Sequence, residues 1–261
     1  MLGIITPSEI VKSTEAVAVT KVNLSTVKTL ALSFLAGVYI AMGGTFSILV
    51  GFGFPGFSEF NPALTKLLCG AMFPIGLMFV VFAGAELFTG NNAMLIPALL
   101  KKKIKIKEVL RNWSLVYLGN FLGALFFTYI FVYYIGLTDA EPWHSAIIKL
   151  SEAKVSMSWT TTFIKGIGAN WFVCLAIWFA MSSKSSSGKI FGLWFPVACF
   201  VVLGYEHCIA NMFFIPLGMF NGANISISSL FLDNLIPATL GNIVGGAMFV
   251  GGLYGLIYKK K

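Results

Sequence analysis

Two apolar runs in this chain are too long for one straight membrane crossing, and polar residues and glycines interrupt each of them. The run from about Leu67 to Leu100 contains Gly84-Ala85-Glu86-Leu87-Phe88-Thr89-Gly90-Asn91-Asn92, and the run from Ile190 to Phe220 contains Gly204-Tyr205-Glu206-His207-Cys208-Ile209-Ala210-Asn211. A helix crosses a hydrocarbon core in about 20 residues. Backbone groups freed at an interruption cannot face lipid, so they must be buried in protein or line a cavity. Four further apolar runs, near Thr29–Phe52, Trp113–Leu137, Met157–Met181 and Leu235–Tyr258, bring the count to six. The chain therefore reads as an all-α polytopic membrane protein whose second and fifth transmembrane helices are interrupted. Composition agrees: 57% of residues are hydrophobic and only 11% charged, too few to cover a soluble surface, and 261 residues leave no room for a large extramembrane domain.

Charge placement predicts orientation. Fourteen of the 18 basic residues fall on one face: Lys12, Lys21 and Lys28 before the first span, Lys101 to Arg111 after the second, Lys184 and Lys189 after the fourth, and Lys259 to Lys261 at the end. The positive-inside rule makes that face, and both termini, cytoplasmic, which places the protein as multi-pass in the cell membrane. Clusters placed between apolar runs read as topology signals, so the net charge of +8 does not point to nucleic acid. Residues 1–28 are expected to form a cytoplasmic N-terminal amphipathic helix over Pro7 to Thr26, apolar at Ile10, Val11, Val17 and Val22 and charged at Glu9, Lys12, Glu15 and Lys21. Residues 1–27 lack the basic segment and apolar core of a cleavable signal peptide. Residues 29–258 form one channel domain and 259–261 a cytoplasmic tail. The cysteines Cys69, Cys174, Cys199 and Cys208 sit in apolar surroundings without a CxxC pair, which predicts buried thiols.

The two halves align with each other, near 29–137 and 157–258. Asn92-Ala93-Met94-Leu95-Ile96-Pro97 matches Asn211-Met212-Phe213-Phe214-Ile215-Pro216, Gly84-Ala85-Glu86 matches Gly204-Tyr205-Glu206, and Leu118-Gly119-Asn120-Phe121-Leu122-Gly123 matches Leu240-Gly241-Asn242-Ile243-Val244-Gly245. With three spans per half, the second half enters from the opposite side, so the repeats are inverted and the breaks meet near the midplane. His207, one of 2 histidines, lies deep in the fifth span. It reads either as a hydrogen-bonded core imidazole or as a functional group, since ionisable residues in a membrane are costly. Thr89 is placed opposite it by the pseudo-symmetry. Glu86 and Glu206 occupy matching positions; a carboxylate on an anion path would repel its cargo, so a structural role is expected, each accepting backbone N–H groups at its break.

The interrupted segments resemble the formate/nitrite transporter family. Gly84-Ala85-Glu86-Leu87-Phe88-Thr89-Gly90-Asn91 is similar to its first signature. Gly168-Ala169-Asn170-Trp171-Phe172-Val173-Cys174-Leu175-Ala176 is similar to its second, and Glu206-His207-Cys208-Ile209-Ala210-Asn211-Met212 to the segment with the family's pore histidine. The resemblance spans essentially the whole chain. It implies an aquaporin-like fold, a homopentamer with one pore per protomer, and passage of small monovalent anions or their neutral acids (formate first, then nitrite or hydrosulfide), with protons as a second partner and no cofactor or enzymatic activity. It implies a pathway through His207, Thr89, Asn170 and Asn242, with Asn170 and Asn242 open to the alternative of interhelical contacts. It implies that Lys154 draws anions inward, and that Phe73, Leu77, Leu87, Val173 and Phe200 form two apolar slits. Lys165 lies outside the family pattern; it either snorkels outward or lines a subunit contact.

Two other readings explain less. A water channel of this architecture would carry two Asn-Pro-Ala boxes; Asn61-Pro62-Ala63 is a single copy in a loop. A subunit of a membrane enzyme would need paired haem- or quinone-binding histidines, and His144 lies in an outer loop away from His207.

Overall fold

The computed structural model of the chain describes residues 4–258, so the tail expected at 259–261 lies outside the described residues. The fold is all-helical. In chain order come α1 (Pro7–Val22), α2 (Thr26–Gly51), α3 (Pro55–Phe60), α4 (Pro62–Met72), α5 (Ile75–Phe82), α6 (Phe88–Met94), α7 (Ile96–Leu100) and α8 (Ile106–Thr128), the last continuing into a π-helical turn, Tyr129–Tyr133. Then follow α9 (Trp143–Val155), α10 (Trp159–Ser182), α11 (Ser186–Val202), α12 (Cys208–Phe220) and α13 (Ile227–Ser229). The final run alternates π-helical turns with α14 (Ile236–Ile243) and α15 (Leu253–Ile257). Five stretches are long and apolar enough to cross a membrane: Thr26–Gly51, Pro62–Phe82, Ile106–Tyr133, Trp159–Ser182 and Ile227–Ile257. The fifth apolar run of the sequence is different. It is divided into the shorter helices α11 and α12.

Both overlong runs are interrupted by the same local chemistry. Ala85 N–H returns to the Val80 carbonyl at 2.9 Å and Tyr205 N–H to the Phe200 carbonyl at 3.1 Å, the closing bond of a Schellman turn. That turn needs a left-handed residue, and Gly84 (φ 71°) and Gly204 (φ 67°) supply it. The chain then runs extended through Leu87 (φ −105°, ψ 125°) and His207 (φ −106°, ψ 113°) before a new helix starts. The glycine matches of the repeat also have a packing cause. A Cβ on Gly123 would overlap the Phe34 carbonyl, and one on Gly245 the Ile167 carbonyl, so α2 meets α8, and α10 the last run, backbone to backbone.

The N-terminal helix docks on the protein. Its buried face holds Ile10, Val11, Thr14, Glu15, Ala18 and Val22. Glu15, expected on the charged face, is 2% exposed and pairs with Lys103 at 2.6 Å and Lys101 at 3.2 Å. Lys21 reaches Glu86 at 2.6 Å. The expectation of uniformly buried thiols also fails. Cys174 and Cys208 are buried, Cys69 is intermediate and Cys199 is exposed. The outer side of an apolar helix such as α11 needs no polar cover when it faces lipid, so apolar surroundings in sequence do not imply burial.

Candidate functional site

The breaks are held by two matching networks. Asn120 on α8 donates through Nδ2 to the carbonyls of Ser33 (2.8 Å) and Glu86 (2.9 Å), and its Oδ1 accepts the Phe88 N–H (2.9 Å). Asn242 on α14 does the same in the other half, donating to the carbonyls of Gly166 (2.7 Å) and Glu206 (2.9 Å) and accepting the Cys208 N–H (2.9 Å). Each asparagine satisfies the orphan groups that a helix start in a membrane would otherwise leave bare. These are not the partners expected for the glutamates. Glu86 accepts instead from Lys21 Nζ and from Asn91 Nδ2 at 2.7 Å, and Glu206 from Lys154 Nζ at 2.9 Å, Asn211 Nδ2 at 2.6 Å and Asn234 Nδ2 at 3.1 Å. The outer shell repeats too: Asn91 Nδ2 donates to Asn112 Oδ1 at 2.9 Å and Asn211 Nδ2 to Asn234 Oδ1 at 2.7 Å.

These contacts correct the register of the repeat. Asn91, not Asn92, is the counterpart of Asn211. Asn92 instead accepts from Asn170 Nδ2 at 3.2 Å. By the same register His207 corresponds to Leu87, the two residues that precede the second half-helices. Thr89 is therefore not the symmetry mate of His207, although the two do meet. Lys21 on α1 corresponds to Lys154 on α9, so the equivalence extends beyond 29–137 and 157–258. No spacing shows this, since 65 residues separate Lys21 from Glu86 and 52 separate Lys154 from Glu206. The recurring gap from Asn112 to Asn120 and from Asn234 to Asn242 is legible in the sequence and was the one available signal for the outer asparagines.

At the centre, His207 Nε2 lies 2.9 Å from Thr89 Oγ1 and His207 Nδ1 lies 3.1 Å from the Ala210 N. A backbone N–H can only donate, so Nδ1 accepts and the proton sits on Nε2, which donates to Thr89. His207 thus caps α12 with one nitrogen and joins the two breaks with the other. The imidazole stacks on Phe200 (centroids 5.8 Å apart, 28°), Phe200 meets Phe73 edge-on at 5.9 Å, and Phe73 stacks on Phe214 at 6.2 Å. Lys154 Nζ stands 5.6 Å from the Phe214 ring. Phe73, Leu77, Leu87, Val173 and Phe200 are all buried in one apolar cluster.

A cavity of about 310 Å³ reaches His207 from the Lys154 side, lined by Phe73, Phe200, Phe214 and Glu206 among others. On the α1 side, a space of about 10 Å³ is lined by Thr14, Gly90, Cys174 and Trp178. Asn170 and Asn242 do not line the larger cavity. Asn170 donates to the carbonyls of Thr89 (3.1 Å) and Asn242 (2.7 Å), so both residues use their amides between helices. Lys165 lines the cavity, a placement that the two alternatives read from sequence, outward snorkelling or a subunit contact, did not include.

Comparison with known proteins adds to this geometry. A family model described as formate/nitrite transporter matches residues 8–256. A probable formate transporter of Methanothermobacter thermautotrophicus is 41% identical over 269 residues, covering 98% of this chain and 97% of the relative. The formate channel BtFdhC of Bacillus thuringiensis is 39% identical over 255 residues, covering 98% and 96%. Among solved structures, an FNT family ion channel superposes with a TM-score of 0.87 at 27% identity, covering 97% of this chain and 99% of that one. A pentameric formate channel with formate bound superposes with a TM-score of 0.77 at 34% identity, covering 90% and 98%.

Proposed function

The chain belongs to the formate/nitrite transporter family, and on that premise we propose that it is a membrane channel or facilitator for small monovalent anions or their neutral acids, formate first among them. The observation that carries this reading is the Nε2–H of His207 held on Thr89 at 2.9 Å, at the floor of a cavity that holds Lys154. An anion enters the cavity toward the Lys154 ammonium, where low-dielectric walls focus the field. Desolvation at the Phe73–Phe200 constriction is the main barrier, because an apolar passage strips hydration from a charge. Leu77, Leu87 and Val173 complete the apolar slits. Beyond the first constriction, His207 and Thr89 offer side-chain hydrogen-bond donors to the passing anion. A proton delivered to the anion lowers the desolvation cost, so transport of the neutral acid belongs to the same reading.

The matching Asn120 and Asn242 networks support six crossings in two inverted halves with an aquaporin-like arrangement, each half preceded by a docked helix, α1 or α9. The basic clusters support cytoplasmic termini in the cell membrane. The pentameric formate channel among the structural neighbours supports a homopentamer. Nitrite and hydrosulfide meet the same residues and are discriminated by direct comparison. Purified protein in liposomes is expected to pass formate and to exclude sugars, with His207→Phe altering the pH dependence of flux. Flux of formate, nitrite and hydrosulfide no faster than in empty liposomes would refute the reading.

A further inference from the structure

Lys165 has no part in the hydrogen bonding that joins His207 to Thr89. It sits in the second turn of α10, half-buried, and its Nζ lies 3.3 Å from Met157 Sδ. A thioether is a weak acceptor, so this ammonium keeps its donors largely unspent. Among the described residues no carboxylate forms an ion pair with it.

Among the described residues, three lysines line the cavity, Lys66, Lys154 and Lys165, against one carboxylate, Glu206. Glu206 is already occupied by Lys154, Asn211 and Asn234. An excess of two positive charges therefore faces a chamber walled by Phe73, Phe200 and Phe214. The scaffold does not require a lysine at position 165. At the second break, the Glu206 N–H donates to the Lys165 carbonyl at 3.4 Å; at the first, the Glu86 N–H donates to the Leu32 carbonyl at 3.2 Å. Only the backbone carbonyl is used, and the equivalent side chain is leucine. The charge is thus an addition to one side of an otherwise matched pair.

We propose that Lys165, with Lys66 and Lys154, makes this vestibule a binding site for compact dicarboxylates, which occupy it and block passage from that face without passing themselves. The proposal rests on the channel reading of the same cavity. A volume of about 310 Å³ lies at the lower end of small-molecule sites, roughly 300–1,000 Å³. Two carboxylates on a short linker can pair with two ammonium groups at once, which a monocarboxylate cannot. The floor rings of Phe73 and Phe200 are each 3% exposed, and passing them would desolvate two charges instead of one.

The probe is malonate. Titration calorimetry of the purified full-length protein should show malonate binding, with acetate at least ten-fold weaker. Lys165→Met, which keeps the length and apolar contacts of the chain, should weaken malonate at least ten-fold, while Lys165→Arg should retain it. In membrane vesicles, malonate on the Lys154 face should inhibit formate flux, measured relative to each variant's own flux, and Lys165→Met should raise the inhibitory concentration. Equal malonate affinity in wild type and Lys165→Met, equal binding of acetate, or equal block from both faces would overturn the proposal. If Lys165→Met does not fold, Lys66→Met in the same titration decides, and unchanged malonate affinity there would also overturn it. Calorimetry reads the site even where no formate passes, so failure of the channel reading is seen separately, as absent flux.

Discussion

Asn120 and Asn242 show how much of this fold rests on single side chains. Each binds two carbonyls and one N–H at a helix break, and each is 0% exposed. Replacing Asn242 with alanine takes the partner from the Glu206 carbonyl and the Cys208 N–H at the break, at about 1–3 kcal/mol each. Asn120→Ala and Asn242→Ala are therefore expected to lower the thermal midpoint of the purified protein by comparable, large amounts, and much more than replacement of an exposed residue such as Ser13. A midpoint within a degree of wild type would show that water or relaxation replaces these bonds. His207 works on the same principle with a different outcome. Its Nδ1 does the capping, which leaves Nε2–H to be shared with Thr89.

At the scale of elements, α1 is held to the body by three ion pairs, Glu15 with Lys101 and Lys103 and Lys21 with Glu86, as well as by its apolar face. Burial of Glu15 pushes its carboxyl up, but the hydrogen bonds and charges of Lys103 and Lys101 outweigh this, and the net effect holds it below its ordinary value of 4.5. A carboxyl lowered in the docked form binds its proton more weakly there than when α1 is free. Docking is then fully supported above the ordinary carboxylate range and weakens as pH falls through the lowered value. Limited proteolysis near Lys12 and Lys21 should be slow at neutral pH and accelerate only at acid pH. Glu15→Gln should be cut faster at neutral pH and lose that pH dependence. Equal cleavage of the variant and wild type at neutral pH would show that the apolar face alone fixes the helix.

At the scale of the whole molecule, the chain repeats its scaffold and diversifies its lining. The glycine turns, the asparagine braces and the Lys–Glu–Asn clusters each occur in both halves, while His207 takes the position that Leu87 holds in the other half, and Lys165 that of Leu32. Large apolar surfaces such as those at Phe191, Phe195 and Ile257 face outward and must be covered by lipid or a neighbouring copy, and the proposed homopentamer makes the second of these testable. Native mass spectrometry from lipid-containing micelles should find the mass of five 28.3 kDa chains, as the pentameric structural neighbour suggests; a lone monomer would refute this.

The sequence by itself determined the apolar runs, the places where two of them break, and the residues that resemble a family signature. These are local properties: glycine at a left-handed turn, and apolar residues in lengths set by a bilayer. It also carried Glu86, Glu206, Asn120 and Asn242 as paired positions. It did not carry their partners. Asn91 and Asn92 are neighbours in sequence, and only the turn of α6 selects which one faces Glu86. Lys21 and Lys154 reach their glutamates over unequal chain lengths, so no spacing connects them. Glu15 looked solvated because the loop that neutralises it, at Lys101 and Lys103, returns from far along the chain. Such choices were left to tertiary structure, because a buried charge or amide is satisfied by whatever donor or acceptor is nearest in space, and nearness in space between distant segments leaves no periodic trace in the sequence.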